Sequence, residues 1–379
     1  MINVAISGTG FMGLTHAEAL ARLQGVRLLG IQGSSAEKSR AAADKLALSK
    51  AYGSFEELLA DAEVQAVHIT TPNRLHFEQA KAALQAGKHV LCEKPLAMTS
   101  EQSGELVELA EASGLAHAVC YNIRFYPLNL HAREAVAGGE AGTIHTITGS
   151  YQQDWLLYDT DYNWRVLVEQ GGPLRAVADI GTHWLDLVSA VTGLVPEAVY
   201  AKLKTVHPVR QRPVGEVQTF SDADDAERRP VEIDTEDFAL LTIRFSGGAL
   251  GSLFVSQVSP GHKNRLRYEL SGSKATFAWD SQSPNDLWIG RRGGPSEIVL
   301  KDPADLSPLA AKHADYPGGH NEGFPDTFKM TFRSFYDAIE SKTFGDPSVP
   351  YATFQAGHRE NLFCDAVLRS HQEDRMVDL

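Results

Sequence analysis

Gly8-Thr9-Gly10-Phe11-Met12-Gly13 limits what this chain can fold into more than any other stretch. A short apolar run, Asn3 to Ser7, precedes it, and an amphipathic stretch, Leu14 to Leu23, follows it. Strand, glycine turn and helix in that order are the setting a G-x-G-x-x-G hexapeptide needs to hold a dinucleotide. Gly8 permits the tight turn, Gly10 lets a pyrophosphate approach the backbone, and Gly13 lets the helix pack against its strand. Thr9, Phe11 and Met12 then stand at a helix N-terminus that faces the phosphates. The bland alternative is a glycine turn that only joins strand to helix.

A second strand, Val26 to Ile31, ends in Gln32-Gly33-Ser34-Ser35. Folds that select NAD place an acid at about this point to hold the ribose hydroxyls, and none stands here. Gly33, Ser34 and Ser35, followed by Lys38 and Arg40, suit a 2′-phosphate, so NADP is the expected cofactor and NAD the possible one. Lys38 and Arg40 also read as a solvated helix face. A short helix over Phe55 to Leu59 leads to a strand over Ala66 to Thr70, which ends in Thr71-Pro72-Asn73-Arg74-Leu75-His76. Thr71 and Pro72 fall at the same sheet edge as the glycine turn. Asn73 and His76 either cap the next helix or line the ribose and nicotinamide. That helix, Phe77 to Ala86, stops at Gly87, a usual C-terminal glycine.

The strand His89 to Cys92 then ends in Glu93-Lys94-Pro95. Pro95 biases Lys94 away from helical angles. A lysine that is partly desolvated beside a cationic ring loses its proton more easily, so Lys94 is a candidate acid/base group; a solvated Glu-Lys turn is the alternative. A helix from Glu101 to Ala112 and a strand from His117 to Cys120 bring the chain to Asn122. Alternation of strand and helix to this point predicts an α/β, doubly wound parallel sheet and a first domain of residues 1–122.

Residues 123–379 follow a different pattern and predict an α+β domain. Thr143 to Tyr151, Ala198 to Val206, Phe238 to Phe245, Ala249 to Val255, Leu266 to Ser271 and Ala275 to Trp279 alternate as half-exposed antiparallel strands of one open sheet. Ser246-Gly247-Gly248 reads as a hairpin turn, and Pro208 to Pro230 as a mobile loop or excursion. Phe328 to Glu340 and Phe354 to Arg369 read as helices. Leu174 to Leu187 is a further helix, with Asp179 and His183 four apart on one face and Asp186 three beyond. A carboxylate one turn from an imidazole can fix its tautomer and raise its basicity; a structural histidine is the alternative. Trp155, Tyr158, Trp164 and Arg165 come just before. Aromatics beside polar groups suit a sugar's apolar face and hydroxyl rim, and equally an ordinary core.

Composition narrows the partners. The formal net charge of −13 over 379 residues argues against a nucleic-acid backbone as the main partner. No run of about 18 apolar residues exists, so no membrane span is expected. Cys92, Cys120 and Cys364 are too few and too scattered for a disulfide framework or a zinc site, and no metal is expected. A strand that begins within three residues leaves no room for a signal peptide, so cytoplasmic residence is the expectation.

Gly8 to Gly13, Thr71-Pro72-Asn73 with His76, Glu93-Lys94-Pro95 and Asp179-Ile180-Gly181-Thr182-His183-Trp184-Leu185-Asp186 together resemble the glucose–fructose oxidoreductase, inositol dehydrogenase and rhizopine-catabolism (Gfo/Idh/MocA) family. The likeness is collinear over nearly the whole chain and includes Glu236-Asp237. It implies a Rossmann domain, then an α+β domain whose large open, mainly antiparallel sheet commonly builds a homodimer or homotetramer. It implies an oxidoreductase acting on a secondary alcohol of a sugar, cyclitol or glycoside. In that family the lysine matching Lys94 contacts cofactor and substrate, and the residues matching Asp179 and His183 hold the substrate and move its proton. Asn122, Trp164 and Arg165 complete the expected cofactor set. Lys94, Arg124, Trp155, Tyr158, Asp179 and His183 form the expected substrate set. Ala36-Glu37-Lys38 looks like the NADP-using glucose–fructose branch. Gly171 to Ala178 departs from the family's triple-glycine approach to the aspartate. Two other activities stay open: an NAD-dependent glycosidase that oxidises transiently, and a non-catalytic dinucleotide-sensing regulator, which has no need of Lys94, Asp179 and His183 together.

Overall fold

Short aliphatic runs bounded by polar turns build the first sheet. In the computed structural model, which describes residues 1–214, 227–346 and 348–379, these runs are β1 (Ile2–Ser7), β2 (Val26–Gln32), β3 (Lys50–Tyr52), β4 (Ala66–Ile69), β5 (His89–Cys92) and β6 (His117–Val119). They lie in the order β3-β2-β1-β4-β5-β6, every pair parallel. All four β4 residues are buried, as expected of a parallel sheet covered on both faces. The crossovers are α1 (Phe11–Ala21), α2 (Ala36–Lys45), α3 (Phe55–Ala60), α4 (His76–Gln85) and α5 (Ser100–Ser113). Ser35, Ser54 and Thr99 cap α2, α3 and α5, each side-chain oxygen accepting a backbone N–H of the first turn. Strand order reverses between β1 and β4. The turns after β1, β2, β4 and β5 therefore leave one edge of the sheet, where open α/β folds bind ligands.

The chain divides into two compact units, Met1–Asn122 with Pro325–Asn361, and Ile123–Phe324 with Leu362–Leu379. Ala352, Phe354 and Ala356 of the later segment join the first unit's core with Val67, Val90 and Leu106.

The second unit is built on β7 (Ile144–Gln152), β8 (Pro196–Lys204), β9 (Val209–Pro213), β10 (Arg228–Glu232), β11 (Phe238–Phe245), β12 (Leu250–Ser256), β13 (Arg265–Gly272), β14 (Thr276–Asp280), β15 (Asp286–Gly290), β16 (Glu297–Leu300) and β17 (Val377–Asp378). Nine of these form one sheet in the order β16-β15-β14-β13-β7-β12-β11-β8-β17. One face is covered by the helix Thr182–Thr192, whose Trp184 is fully buried and donates to the carbonyl of Arg267 at 3.0 Å. Gly149 makes the slot: a Cβ there would lie 2.2 Å from Trp184 Nε1. The opposite face alternates outward, as in β11, where buried Ala239, Leu241 and Ile243 interleave with exposed Leu240, Thr242 and Arg244.

The sheet is mainly antiparallel, as expected; one pair, β7 and β12, runs parallel, while their other neighbours run antiparallel. Two expectations need correction. The stretch 208–230 is not a plain loop: β9 and β10 pair antiparallel, Arg228 opposite Pro213 and Glu232 opposite Val209, and both prolines fall where a ribbon edge tolerates them. Residues 215–226 lie outside the described residues. The helix expected over Leu174 to Leu187 starts instead as a wide π-helical turn, Val177–Gly181, before Thr182–Thr192. No described helix is long and apolar enough to cross a membrane.

Candidate functional site

In the first unit the glycine turn has the geometry its spacing predicts. Gly8 sits at φ +119°, and a Cβ there would lie 2.4 Å from Thr70 Oγ1. A Cβ on Gly13 would lie 2.0 Å from the Gly8 carbonyl oxygen, whereas one on Gly10 would meet nothing within 4 Å. Gly8 and Gly13 are therefore fixed by packing and Gly10 faces open space. Gly10 is the N-cap of α1, and neither a capping side chain nor an acid occupies the first turn. The positive end of the helix dipole thus faces the opening, the electrostatics an anionic pyrophosphate requires. A nicotinamide dinucleotide fits these residues.

At the end of β2, Gln32 receives a hydrogen bond from Ser7 at 2.8 Å and donates to the Gly33 carbonyl. Gly33 N–H is held by Ser39 Oγ at 2.8 Å, and a Cβ on Gly33 would press within 3.0 Å of Thr9. Ser34, Lys38 and Phe11 are exposed. His76 is buried with Nδ1 2.7 Å from the Pro95 carbonyl and Nε2 2.8 Å from the Thr71 carbonyl. Burial pushes its pKa down against the pull of both carbonyls. His76 thus staples the turn carrying Thr71, Pro72 and Asn73 to the turn carrying Lys94. Asn122 is buried and donates to Thr327 at 2.7 Å.

Glu93 is the electrostatic centre of this edge. Only 6% exposed, it meets His16 Nε2 at 3.0 Å with one oxygen and receives the Lys94 backbone N–H at 3.2 Å with the other. His16 Nδ1 lies 3.0 Å from His68 Nδ1, and His68 Nε2 2.7 Å from the Tyr336 hydroxyl. Phe328 and Phe332 pack edge-on or tilted against His16. Burial alone would raise the Glu93 carboxyl; the bond to His16 and the nearby Lys94 charge overcome it and hold the pKa down at about 2. His68 is driven well below the usual imidazole value by burial and by the charge at His16, so His68 stays neutral and its Nδ1 or Nε2 is available to accept. Among the described residues, His16, Glu93 and Cys120 are the one group of three potential metal ligands, within 4.8 Å of one another. Their mutual contacts already occupy them, with Cys120 Sγ 3.8 Å from His16. Lys94 itself is half-buried, and its peptide to Pro95 is cis.

In the second unit, Glu236 shapes the start of the π-helical turn. Its buried carboxylate accepts the N–H groups of Arg175 at 2.9 Å and Val177 at 2.8 Å, which sets the backbone carrying Asp179. Asp179 receives Gln257 Nε2 at 2.8 Å, and Arg165 Nε lies 3.4 Å away. His183 is 8% exposed, with Tyr151 edge-on at 6.3 Å. Asp186 turns elsewhere: it takes the fork of Arg124, Nε at 2.6 Å, so the two are a buried bidentate pair. Trp155 donates to Gln153 at 2.8 Å. Arg165 stacks 4.4 Å from the Trp164 ring, and Tyr158 is 64% exposed. The sequence reading did not single out His16, Gln257 or Tyr151. Only Gln257 left a trace, as a polar residue just past the end of the apolar run of β12.

Comparison with known proteins completes the description. Residues 2–121 match the family model described as "Oxidoreductase family, NAD-binding Rossmann fold", and residues 129–278 match "GFO/IDH/MocA C-terminal domain". The chain is 28% identical to levoglucosan dehydrogenase of Pseudarthrobacter phenanthrenivorans, over 100% of this chain and 98% of that one. It is 30% identical to D-xylose 1-dehydrogenase (NADP(+)) 2 of Haloferax volcanii, over 64% of this chain and 73% of that one. Its fold superposes on a levoglucosan dehydrogenase complex with NADH and L-sorbose at a TM-score of 0.88, with 26% identity over 100% of this chain and 98% of the other.

The Glu93 arrangement gives a pH-dependent signature. Its folded pKa lies below the ordinary 4.5, so its pairing contributes stability that is fully present above 4.5 and is lost as pH falls toward about 2. Glu93→Gln should therefore melt well below the wild type near neutral pH, and the gap should narrow steadily below that ordinary value. Thermal melts of both proteins across the range check it; a gap independent of pH would contradict the assignment.

Proposed function

The chain belongs to the Gfo/Idh/MocA family of oxidoreductases, and on that premise we propose that it interconverts a secondary alcohol and ketone on a sugar, cyclitol or glycoside with a nicotinamide dinucleotide. The observation that carries this reading is Lys94 at the carboxyl end of β5, on the same sheet edge as the open Gly8–Gly13 turn. Support comes from relatives named for oxidation of levoglucosan and D-xylose, and from a related structure that holds NADH and L-sorbose.

When bound, the dinucleotide supplies the hydride acceptor or donor. The chain supplies binding, orientation and proton handling. The α1 N-terminus and the Gly10 backbone take the pyrophosphate. Lys94 and His183 are the proton-handling candidates for the substrate hydroxyl, and Asp179, aimed by Gln257 and Arg165, is the candidate for holding the substrate. Trp155, Tyr158 and Arg124 belong to the substrate side of this proposal. Thr71, Asn73, Asn122, Trp164 and Arg165 belong to its cofactor side.

NADP is the preferred cofactor on this reading, because Gln32 to Ser35 presents no carboxylate and Lys38 is exposed beside it. Fluorescence titration should give tighter binding of NADPH than NADH. Lys38→Glu should cost NADPH on the order of 1–2 kcal/mol and leave NADH nearly unchanged. Equal or tighter NADH binding in the wild type would remove the preference.

Assembly is proposed through the outward face of the nine-stranded sheet, where Leu240, Leu250, Trp288, Ile298 and Leu300 are 39% to 62% exposed. An apolar face of that kind calls for a cover, and a second copy gives a dimer or tetramer. Light scattering should find an oligomer that Leu240→Glu with Leu250→Glu dissociates; a wild-type monomer at micromolar concentration would contradict it.

For the chemistry, Lys94→Ala and His183→Ala should each lower turnover by roughly 10² to 10⁴, and the double variant should lose less than the product. Asp179→Asn should lower turnover with cofactor affinity nearly unchanged. Steady-state kinetics with a sugar panel decides it, and near-normal turnover in Lys94→Ala would overturn the mechanism.

A further inference from the structure

The segment that follows β7, residues 153–167, carries Trp155, Tyr158, Trp164 and Arg165 but has little regular structure of its own. Its backbone must find hydrogen-bond partners elsewhere, and six consecutive carbonyls find them on one neighbour. Arg210 donates to Leu156 at 2.9 Å, Tyr158 at 2.7 Å and Asp161 at 3.0 Å. His207 Nε2 donates to Leu157 at 2.8 Å, the Gln211 N–H to Asp159 at 2.9 Å, and Arg228 to Thr160 at 2.6 Å. All four donors lie in the ribbon β9–β10 or just before it. No carbonyl from Leu156 to Asp161 is missed.

The apolar side of the contact follows the same division. Leu156, Val166 and Ile233 form a small core, with Trp155, Tyr162, Leu167 and Val231 packed on it. Arg212 stacks over Tyr162 at 5.6 Å. Trp155 and Val231 of the ribbon thus pack on one small cluster, so the segment and the ribbon share apolar packing as well as backbone bonds.

Arg210 is completely buried, and its guanidinium also meets Asp237 at 2.7 Å. Asp237 in turn pairs with Arg175 and accepts the N–H groups of Val206 at 2.6 Å and His207 at 3.0 Å. Arg175 lies four residues before Asp179, whose N–H bonds the Arg175 carbonyl at 2.7 Å. One buried carboxylate therefore sets the ribbon, the irregular segment and the start of the Asp179 turn in register.

We propose that the ribbon β9–β10 is the specificity-determining element of this enzyme, with Arg210 as the positioning residue that sets where Trp155 and Tyr158 present themselves to a sugar. The proposal rests on the preceding reading that these side chains face substrate. Arg210 touches neither hydride nor proton. Its loss should alter which sugar fits and how tightly, and leave the proton chemistry and cofactor affinity in place.

The test compares the wild type with Arg210→Lys, which keeps the charge and removes the fork, and with Arg228→Ala and the double variant Arg212→Ala/Arg228→Ala. KM and kcat are measured for one hexose and one pentose, with NADPH affinity by fluorescence and folding by thermal melts. Arg210→Lys should raise KM for the preferred sugar about tenfold or more and shift the hexose-to-pentose ratio of kcat/KM about as far, with kcat and NADPH affinity within about threefold. Arg228→Ala should move the ratio in the same direction by less. Amide exchange over residues 156–166 should quicken in both. If Arg210→Lys does not fold, the double variant at the more accessible ribbon positions carries the test. A folded variant with faster exchange and an unchanged sugar ratio overturns the proposal, because a purely structural buttress behaves so. A wild type that oxidises neither sugar nor any cyclitol with NADPH or NADH overturns the functional reading and the proposal together.

Discussion

Burying an ionised carboxylate costs several kcal/mol unless protein groups replace its water, and three such carboxylates lie beside the residues that carry the proposed chemistry. Each is satisfied differently. Glu93 takes an imidazole and a backbone N–H. Glu236 takes the N–H groups of Arg175 and Val177 at the opening of a helix; burial pushes its pKa up, and those N–H groups pull against it. Asp237 takes two guanidinium groups, and its pKa falls although burial opposes the fall. Removing one partner of any such group leaves a charge that nothing else can reach, so these contacts tolerate few alternatives. Each also joins positions far apart in the chain: 16 to 93, 175 to 236, 175 and 210 to 237. The segments bearing Lys94 and Asp179 are held less by apolar packing, which tolerates small shifts, than by directional bonds, which do not.

This explains what could and could not be read from the amino-acid sequence. The glycine hexapeptide was legible because its roles are backbone roles, tied to residue type and spacing alone; Gly8 at positive φ and the crowding at Gly13 are local facts. Most of the longer strands of both sheets were legible for a similar reason, since burial alternates or runs continuously along each. What failed to show was partnership between elements. Asp179, His183 and Asp186 share a helical spacing that suggests one cooperating face, yet Asp186 pairs with Arg124 and Asp179 with Gln257. Periodicity describes one element and says nothing of the element packed against it. The ribbon was missed for a related reason. Its prolines and charges look like a loop, and only the carbonyls of residues 156–161 reveal why arginines stand there. Strands β15 and β16 were missed because they are short and sit at the sheet edge, with exposed Ile298 and Leu300 blurring the alternation.

The use of an arginine-rich ribbon to hold an irregular segment has its own physical logic. A strand presents alternate side chains to opposite faces, and a helix spaces them around a cylinder. Neither can depart from that spacing within so few residues. An irregular backbone can, but it forgoes its own ladder, and each buried carbonyl left without a donor costs about 1–3 kcal/mol. Water could serve those carbonyls, yet water would leave the segment free to move and the aromatic rings unfixed. A guanidinium offers five N–H donors in a rigid plane. Placed once, as Arg210 is, it satisfies three carbonyls and the buried Asp237. The segment thus gains the freedom of a loop in sequence and the rigidity of a strand in space, the combination that discrimination among similar polyols demands.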